Sequence, residues 1–217
     1  MSLTILNNMS AIAAENQLNI TSSEMNSTLQ QLSSGSRINS GADDPAGLAI
    51  ADGLQANVAA LTQSGSNATD GVGELQVADG ALSQVTTLLD RAVTLATEAA
   101  NGGLSTAQST ALTGEYTAIQ QEITNIGANT NYNGAQVFTA NAVNVYLTDG
   151  TTSGSTTISA TPGALTLTSL ALTASNLGTT TSAQTQLGQI TSAIATVAAT
   201  RGSLGASVEE LQAASNV

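Results

Sequence analysis

Neither cysteine nor histidine occurs in the 217 residues. That removes disulfides, thiol chemistry, the usual zinc, copper and haem ligands, and any catalytic triad with an imidazole base. Lysine is missing too: Arg37, Arg91 and Arg201 are the whole basic complement, which also excludes a Ser-Lys pair. Carboxylate-only metal sites stay formally open, but enzyme readings begin with little to stand on, and no cofactor is expected. Three arginines against fifteen acids give a formal net charge of −12. Without a basic patch the chain cannot neutralise phosphates, which argues against nucleic acid and against an anionic membrane surface. The acidity is read simply as a source of solubility.

Aromatic side chains are nearly absent as well, with three tyrosines and one phenylalanine. A compact globule usually anchors its core on large rings. A long helical assembly needs only a stripe of Leu, Ile and Ala, which this chain has in plenty. Nothing approaches ~18 uninterrupted apolar residues, so no membrane insertion is expected. The first positive charge is Arg37, so the N-terminus lacks the basic region of a cleaved signal peptide. Secretion would use another route.

The strongest pattern that is present is a heptad line. Leu54, Leu61, Ala68, Leu75, Leu82, Leu89 and Ala96 recur at seven-residue intervals, joined from Leu75 onward by Ala78, Val85, Ala92 and Ala99. This is the a/d seam of a coiled coil. Asp44-Pro45 supplies a start, with Asp as N-cap and Pro at the first helical position, and Asn101-Gly102-Gly103 a stop. One helix across this span is roughly 80 Å long at ~1.5 Å per residue. Gly53, Gly65, Gly71, Gly73 and Gly80 lie inside it, and two helices broken near Asn67–Gly73 is the alternative. A single helix is favoured because the heptad phase passes through the glycines unchanged.

Three further segments are helical in period. Ala11, Leu18, Met25 and Leu32 form a thin line near the N-terminus, on a helix expected to gain order by packing into an assembly. A second segment opens at Ser105, with Gln108 placed for a capping box, carries Leu112, Tyr116, Ile119, Ile123 and Ile126, and is expected to stop at Gly127. The last runs through Leu187, Ile190, Ile194, Val197, Arg201, Leu204, Val208 and Leu211. Arg201 sits in that apolar seam, where it needs a carboxylate partner or must reach outward. Between these segments, Asn131-Tyr132-Asn133-Gly134 reads as a turn. Val143, Val145 and Leu147, then Thr156 to Ser159, then Ala164 to Thr173, read as period-two strands of a small antiparallel patch. The expected fold is mainly α: a long antiparallel coiled-coil-like helical rod, a small β patch at its distal tip, and an N-terminal helical arm.

At this point a family resemblance emerges. Leu32-Ser33-Ser34-Gly35-Ser36-Arg37-Ile38-Asn39-Ser40, followed by Asp43-Asp44-Pro45-Ala46-Gly47-Leu48-Ala49-Ile50-Ala51, resembles the N-terminal signature of bacterial flagellins. Asn67-Ala68-Thr69-Asp70-Gly71 resembles the family's N-x-x-D-G, Asn131-Tyr132-Asn133-Gly134 its T-x-[FY]-N-G turn, and Arg201-Gly202-Ser203-Leu204-Gly205-Ala206 its R-x-x-L-G-A. The match covers the chain to about Gly134 and resumes near Ala183. The resemblance implies an inner-core arm and spoke over 1–42 and outgoing rod helices over 43–134. A β region at the rod tip over 135–180 and a returning rod helix over 181–217 complete the division.

It further implies a secreted, non-enzymatic subunit of the flagellar filament, used for swimming motility. Such a subunit is exported through the flagellar type III apparatus with an export chaperone and polymerises beneath a cap protein. Family members normally end in a C-terminal helical arm that pairs with the N-terminal one, and this sequence stops at Val217 inside the returning helix. The expectation is therefore a compact form without large variable outer domains and without that arm, a homo-oligomer only when the arm is supplied.

The residues expected to carry assembly are Leu54, Leu61, Leu75, Leu82, Leu89, Ile190, Ile194, Val197 and Leu204, with Arg37, Asn39, Asp43, Asp44 and Gly47 as the family signature. Asp44 is explained as a helix cap rather than half of a metal pair. Arg37 either pairs with acids at subunit contacts or is solvated. The resemblance also marks Arg91, Leu95 and Glu122 as contacts for the flagellin-sensing Toll-like receptor. Otherwise Arg91 lies on a solvated face and Leu95 fills the rod. Ser and Thr over 148–181 could accept O-linked glycans, though β propensity explains the Thr equally well. The competing functions are a hook–filament junction protein and, more weakly, a free coiled-coil adhesin. A flagellin-borne metallopeptidase needs H-E-x-x-H and is excluded.

Overall fold

The computed structural model describes residues 8–174 and 176–216. The first seven residues of the expected arm and Val217 of the expected returning helix lie outside the described residues. The chain divides into two compact units, Met1–Val58 and Ala59–Val217. Four helices dominate the described residues: α1 (Met9–Ser34), α2 (Pro45–Ala100), α3 (Thr106–Asn129) and α4 (Thr180–Asn216). Four short strands lie between α3 and α4, namely β1 (Asn131–Tyr132), β2 (Ala135–Gln136), β3 (Val143–Leu147) and β4 (Thr156–Ala160). The chain is mainly α, as its periodicities require.

Both ends of α2 and the start of α3 are where the sequence puts them. The Asn8 side chain caps α1 by accepting from the N–H groups of Ser10 and Ala11, and Gly35 closes it in the left-handed region at φ 70°. Asp44 caps α2, its Oδ1 accepting the Gly47 N–H at 2.9 Å. The helix then runs unbroken through Gly53, Gly65, Gly71, Gly73 and Gly80 to Ala100. Ser105 and Gln108 form the reciprocal capping box of α3. One expected end is corrected: α3 does not stop at Gly127 but continues to Asn129. Gly127 is a contact point instead, because a Cβ there would run into the backbone carbonyl of Leu165.

In the second unit the remainder of α2 packs with α3 and α4 around one apolar core. The buried α2 face is Ala68, Leu75, Ala78, Leu82, Val85, Leu89, Ala92, Leu95, Ala96 and Ala99. From α4 come Ile190, Val197, Leu204 and Leu211, again seven residues apart, and from α3 Tyr116, Ile119 and Ile123. α4 runs antiparallel to α2: Arg201 meets Asp79, while Leu211, farther along α4, lies against Gly71, earlier in α2. Each buried Leu or Ile contributes roughly 1.5–3 kcal/mol. Three polar groups inside this core are satisfied. The Tyr116 hydroxyl donates to Gln186 Oε1 at 3.1 Å, and the Gln120 amide donates to the carbonyls of Leu172 and Ala174 at 2.7 and 3.0 Å. Burial pushes the Tyr116 phenol above its ordinary pKa.

The β elements are two separate antiparallel hairpins. Asn133-Gly134, with φ of 49° and 80°, turns β1 back onto β2. Tyr132 then lies across α2, its hydroxyl 3.0 Å from where a Cβ on Gly73 would be. β3 pairs with β4 from Val143↔Ala160 to Leu147↔Thr156. The other edge of β3 is held by α2 side chains: Ser64 Oγ donates to the Thr148 carbonyl and accepts the Thr148 N–H, both at 2.8 Å, and the Asn67 amide donates to the Tyr146 carbonyl. Thus one serine satisfies both backbone groups of an edge residue that a third strand would otherwise pair. The expected third strand, Ala164 to Thr173, is not a strand. Thr166 and Ser169 tie their side chains to each other's backbone and fold the segment into turns, from which Leu165, Leu170 and Leu172 are buried.

Candidate assembly and recognition surfaces

The signature residues form a self-contained turn in the first unit. Asp43 accepts from the N–H groups of Asn39 and Ser40 and from the Ser40 hydroxyl, at 3.0–3.1 Å. Those bonds, the Asn39 N–H foremost, hold its carboxyl below the ordinary aspartate pKa. The Asn39 amide donates to the Ser36 carbonyl. Gly47 has no room for a side chain, since a Cβ would meet the Asp44 carboxylate and come 2.9 Å from Ile38 Cδ1. Four of the five signature residues therefore shape the entry to α2. The fifth, Arg37, is exposed, with no ion pair among the described residues.

The heptad residues divide sharply by burial. Leu75, Leu82, Leu89, Ile190, Val197 and Leu204 lie in the core of the second unit, with Ile194 partly buried against it. Leu54 and Leu61 do not: they remain 59% and 52% exposed. In the first unit Ile50 and Val58 share the face of Leu54 and are exposed with it, two residues that the seven-residue count passed over and the i, i+4 spacing would have found. No residue of α1 is buried. Its Leu18, Met25, Leu29 and Leu32 fall within about 60° of arc at ~100° per residue, forming one apolar stripe, and all four are exposed.

Arg91, Leu95 and Glu122 are not brought together as a trio. Arg91 is exposed and pairs with Glu115, Nε and the terminal amine both 2.7 Å from Glu115 Oε1. Glu122 is exposed and accepts from the Asn125 amide at 3.4 Å. Leu95 has no exposed surface and belongs to the core, so it supports α2 from inside. Arg201 finds its carboxylate in Asp79, with bonds of 2.7 and 3.2 Å that raise the guanidinium pKa further. Neither Glu115 nor Asp79 stood out in the sequence, because each partner lies far from its arginine along the chain.

The clefts add little chemistry. One of about 740 Å³ lies between α2, the β3–β4 hairpin and the end of α4, and Asp149 is the ionisable group on its wall. The hydroxyl and N–H of Thr151 bind that carboxylate and hold it below its ordinary pKa. A second cleft holds Asp70 and Glu74 beside Tyr132 and Tyr146, and burial pushes the Glu74 carboxyl upward. No helix among the described residues is long and apolar enough to cross a membrane.

Residues 5–143 match the family model described as the bacterial flagellin N-terminal helical region. Flagellin E of Vibrio cholerae is 36% identical over 154 residues, which are 71% of this chain and 41% of that protein. The B-type flagellin of Pseudomonas aeruginosa is 39% identical over 137 residues, 63% of this chain and 28% of its own length. The chain thus spans well under half the length of these curated relatives. Among solved structures, the crystal structure of Bacillus cereus flagellin superposes with a TM-score of 0.61 at 28% identity, covering 70% of this chain and 88% of that one.

Proposed function

The chain belongs to the bacterial flagellin family, and on that premise we propose that it is a structural subunit of the flagellar filament, joined to neighbouring copies through the apolar stripe of α1 and the exposed start of α2. The observation that carries this reading is α1 itself. It is a 26-residue helix capped at both ends in which no residue is buried, although Leu18, Met25, Leu29 and Leu32 line one face. Helices in proteins gain most of their stability by burying such a face, and isolated ones are marginal. The arms packed together in a filament supply the missing surface. The buried seam of α2 and α4 makes the rigid body of the subunit, and the exposed positions make its contacts. The role is mechanical and extracellular, serving motility, with export through the flagellar type III route, an export chaperone and a cap protein as the partners the family suggests.

A hook–filament junction protein is the competing role. Antibody raised against the second unit, coupled to gold and imaged on cells that make the protein, separates the two. Continuous decoration along the filament is expected. Label confined to a short band beside the hook would overturn the filament assignment.

Recognition by the flagellin-sensing Toll-like receptor is proposed for the exposed surface that carries Arg91 and Glu122, with Leu95 acting from within. What supports it is exposure: the Arg91 side chain is 54% accessible and can offer its remaining N–H groups to a partner. In a receptor reporter assay Arg91→Ala should lower potency by about thirtyfold, the effect of a ~2 kcal/mol contact residue. Thermal stability should barely change, since exposed ion pairs contribute ~1 kcal/mol or less. Equal potency of the two proteins would refute the assignment.

A further inference from the structure

We propose that the Asn101-Gly102 turn is a modification site at which the chain deamidates itself. The Gly102 backbone nitrogen expels the Asn101 side-chain amide, leaving an aspartyl or isoaspartyl residue and a new negative charge at the end of α2. Asparagine followed by glycine occurs twice in the chain, at Asn101-Gly102 and Asn133-Gly134, and both asparagines are exposed to water. The structure separates them by backbone geometry. Ring closure needs the glycine nitrogen swung round to the side of the asparagine Cβ. Asn133 stands in the left-handed region at φ 49°, where ψ is about +30 to +60° and that nitrogen points away from Cβ. The pairs Tyr132↔Ala135 and Asn131↔Gln136 close the turn around it. Asn101 escapes both constraints, because it follows the last residue of α2 in an unpaired connection and its φ is not positive. Its N–H bonds to the Glu98 carbonyl at 3.1 Å, while neither its side chain nor the Gly102 N–H makes a hydrogen bond among the described residues. Neither backbone nor packing demands glycine at 102. A Cβ there would meet nothing within 4 Å, and the positive φ of this turn, 109°, belongs to Gly103. What the missing side chain leaves is an unshielded nitrogen beside an asparagine.

In the reaction the Gly102 nitrogen gives its proton to solvent and attacks Asn101 Cγ. The N–Cγ bond forms, the Cγ–Nδ2 bond breaks, and the amide nitrogen takes a proton and leaves as ammonia. Water then adds to one of the two carbonyls of the resulting succinimide. Opening on one side gives aspartate, and on the other isoaspartate, in which the main chain runs through the former side chain. One water is consumed and one ammonia released, with no change of oxidation state. The product charge falls at an unfavourable place. The last turn of α2 has no basic residue, and Glu98 already stands three residues before position 101. A carboxylate there meets the negative end of the helix dipole with no cation of that turn to offset it. Ala96 and Ala99, buried in the core, lie within the turn that is weakened.

The test ages the full chain in mildly alkaline buffer, folded and in urea, and follows Asn101 and Asn133 by peptide mass mapping with isoaspartate detection. In the folded chain Asn101 should convert at least about tenfold faster than Asn133, the factor that ~1.4 kcal/mol of hairpin-turn opening imposes. In urea the two rates should converge. Gly102→Ala, which the open space admits, should slow Asn101 severalfold and leave Asn133 unchanged. Asn101→Asp, the ordinary product, should melt below fresh wild type, with the gap narrowing in high salt. Equal rates at the two sites in the folded chain, or a faster Asn133, would overturn the assignment, as would a Gly102→Ala chain that ages like wild type. An Asn101→Asp chain that melts with fresh wild type would overturn the claimed effect on α2.

Discussion

Leu89→Ala should destabilise the second unit by about 3 kcal/mol, whereas Leu54→Ala, on the same helix and the same heptad line, should change stability by less than about 0.5 kcal/mol. The two leucines differ in surroundings alone. Leu89 has no exposed surface and lies in the shared core of α2, α3 and α4, so truncation removes transfer free energy and leaves a cavity. Leu54 is 59% exposed and has little to lose within its own chain. All three tyrosines, Tyr116, Tyr132 and Tyr146, fall in the second unit, so tyrosine fluorescence during thermal unfolding reports on that unit. A loss of ~3 kcal/mol corresponds to a melting temperature lower by about 10 °C in a domain of this size. Equal effects from the two substitutions would mean that the division between inner and outer seam is wrong.

The heptad line was legible because period seven is a property of the residues themselves; where it is buried is not. From Leu54 to Leu89 the sequence repeats without a slip, yet only the positions from Ala68 onward are buried in the core of the second unit, where Leu211 of α4 lies against Gly71. Earlier positions keep the pattern and are exposed. The same difficulty applies to Ala164 to Thr173. Alternation of Leu165 and Leu167 with threonines satisfies the strand template, yet Thr166 and Ser169 offer the backbone local hydrogen bonds that no ladder partner matches. Gly127 likewise looks like a helix stop in one dimension. In three it is a seat for the Leu165 carbonyl, a contact between residues far apart in the chain.

The candidate sites show the same limit. The cap at Asp44 and the box at Ser105 and Gln108 were readable because their partners lie three residues away. The partners of Arg91 and Arg201 lie 24 and 122 residues distant, and no local pattern points to Glu115 or Asp79. Leu95 and Arg91 are one turn apart and read as a single surface. Their helix turns one of them into the core and the other to solvent. The signature around Asp43 and Gly47 identified the family, but its geometry is that of a chain reversal shaped by Asp43, Asp44 and Ile38, with Arg37 the member left facing outward.

The exposed stripe of α1 is the claim on which the proposed function turns. Burying its leucines among the packed arms of a filament would contribute roughly 1.5–3 kcal/mol each. Replacing Leu18, Leu29 and Leu32 together by glutamine, which has good helix propensity, should therefore cut the affinity of each subunit for its neighbours by more than about a thousandfold. The fold should survive, because none of these side chains is buried in the chain itself. The decisive measurement is the pelleted fraction of triple-variant subunits beside wild type, taken with their circular dichroism and melting curves. Unchanged helicity and melting with no pelleted filament is the predicted result. Filaments formed at the wild-type concentration by the triple variant would contradict the assignment of α1 as the assembly surface.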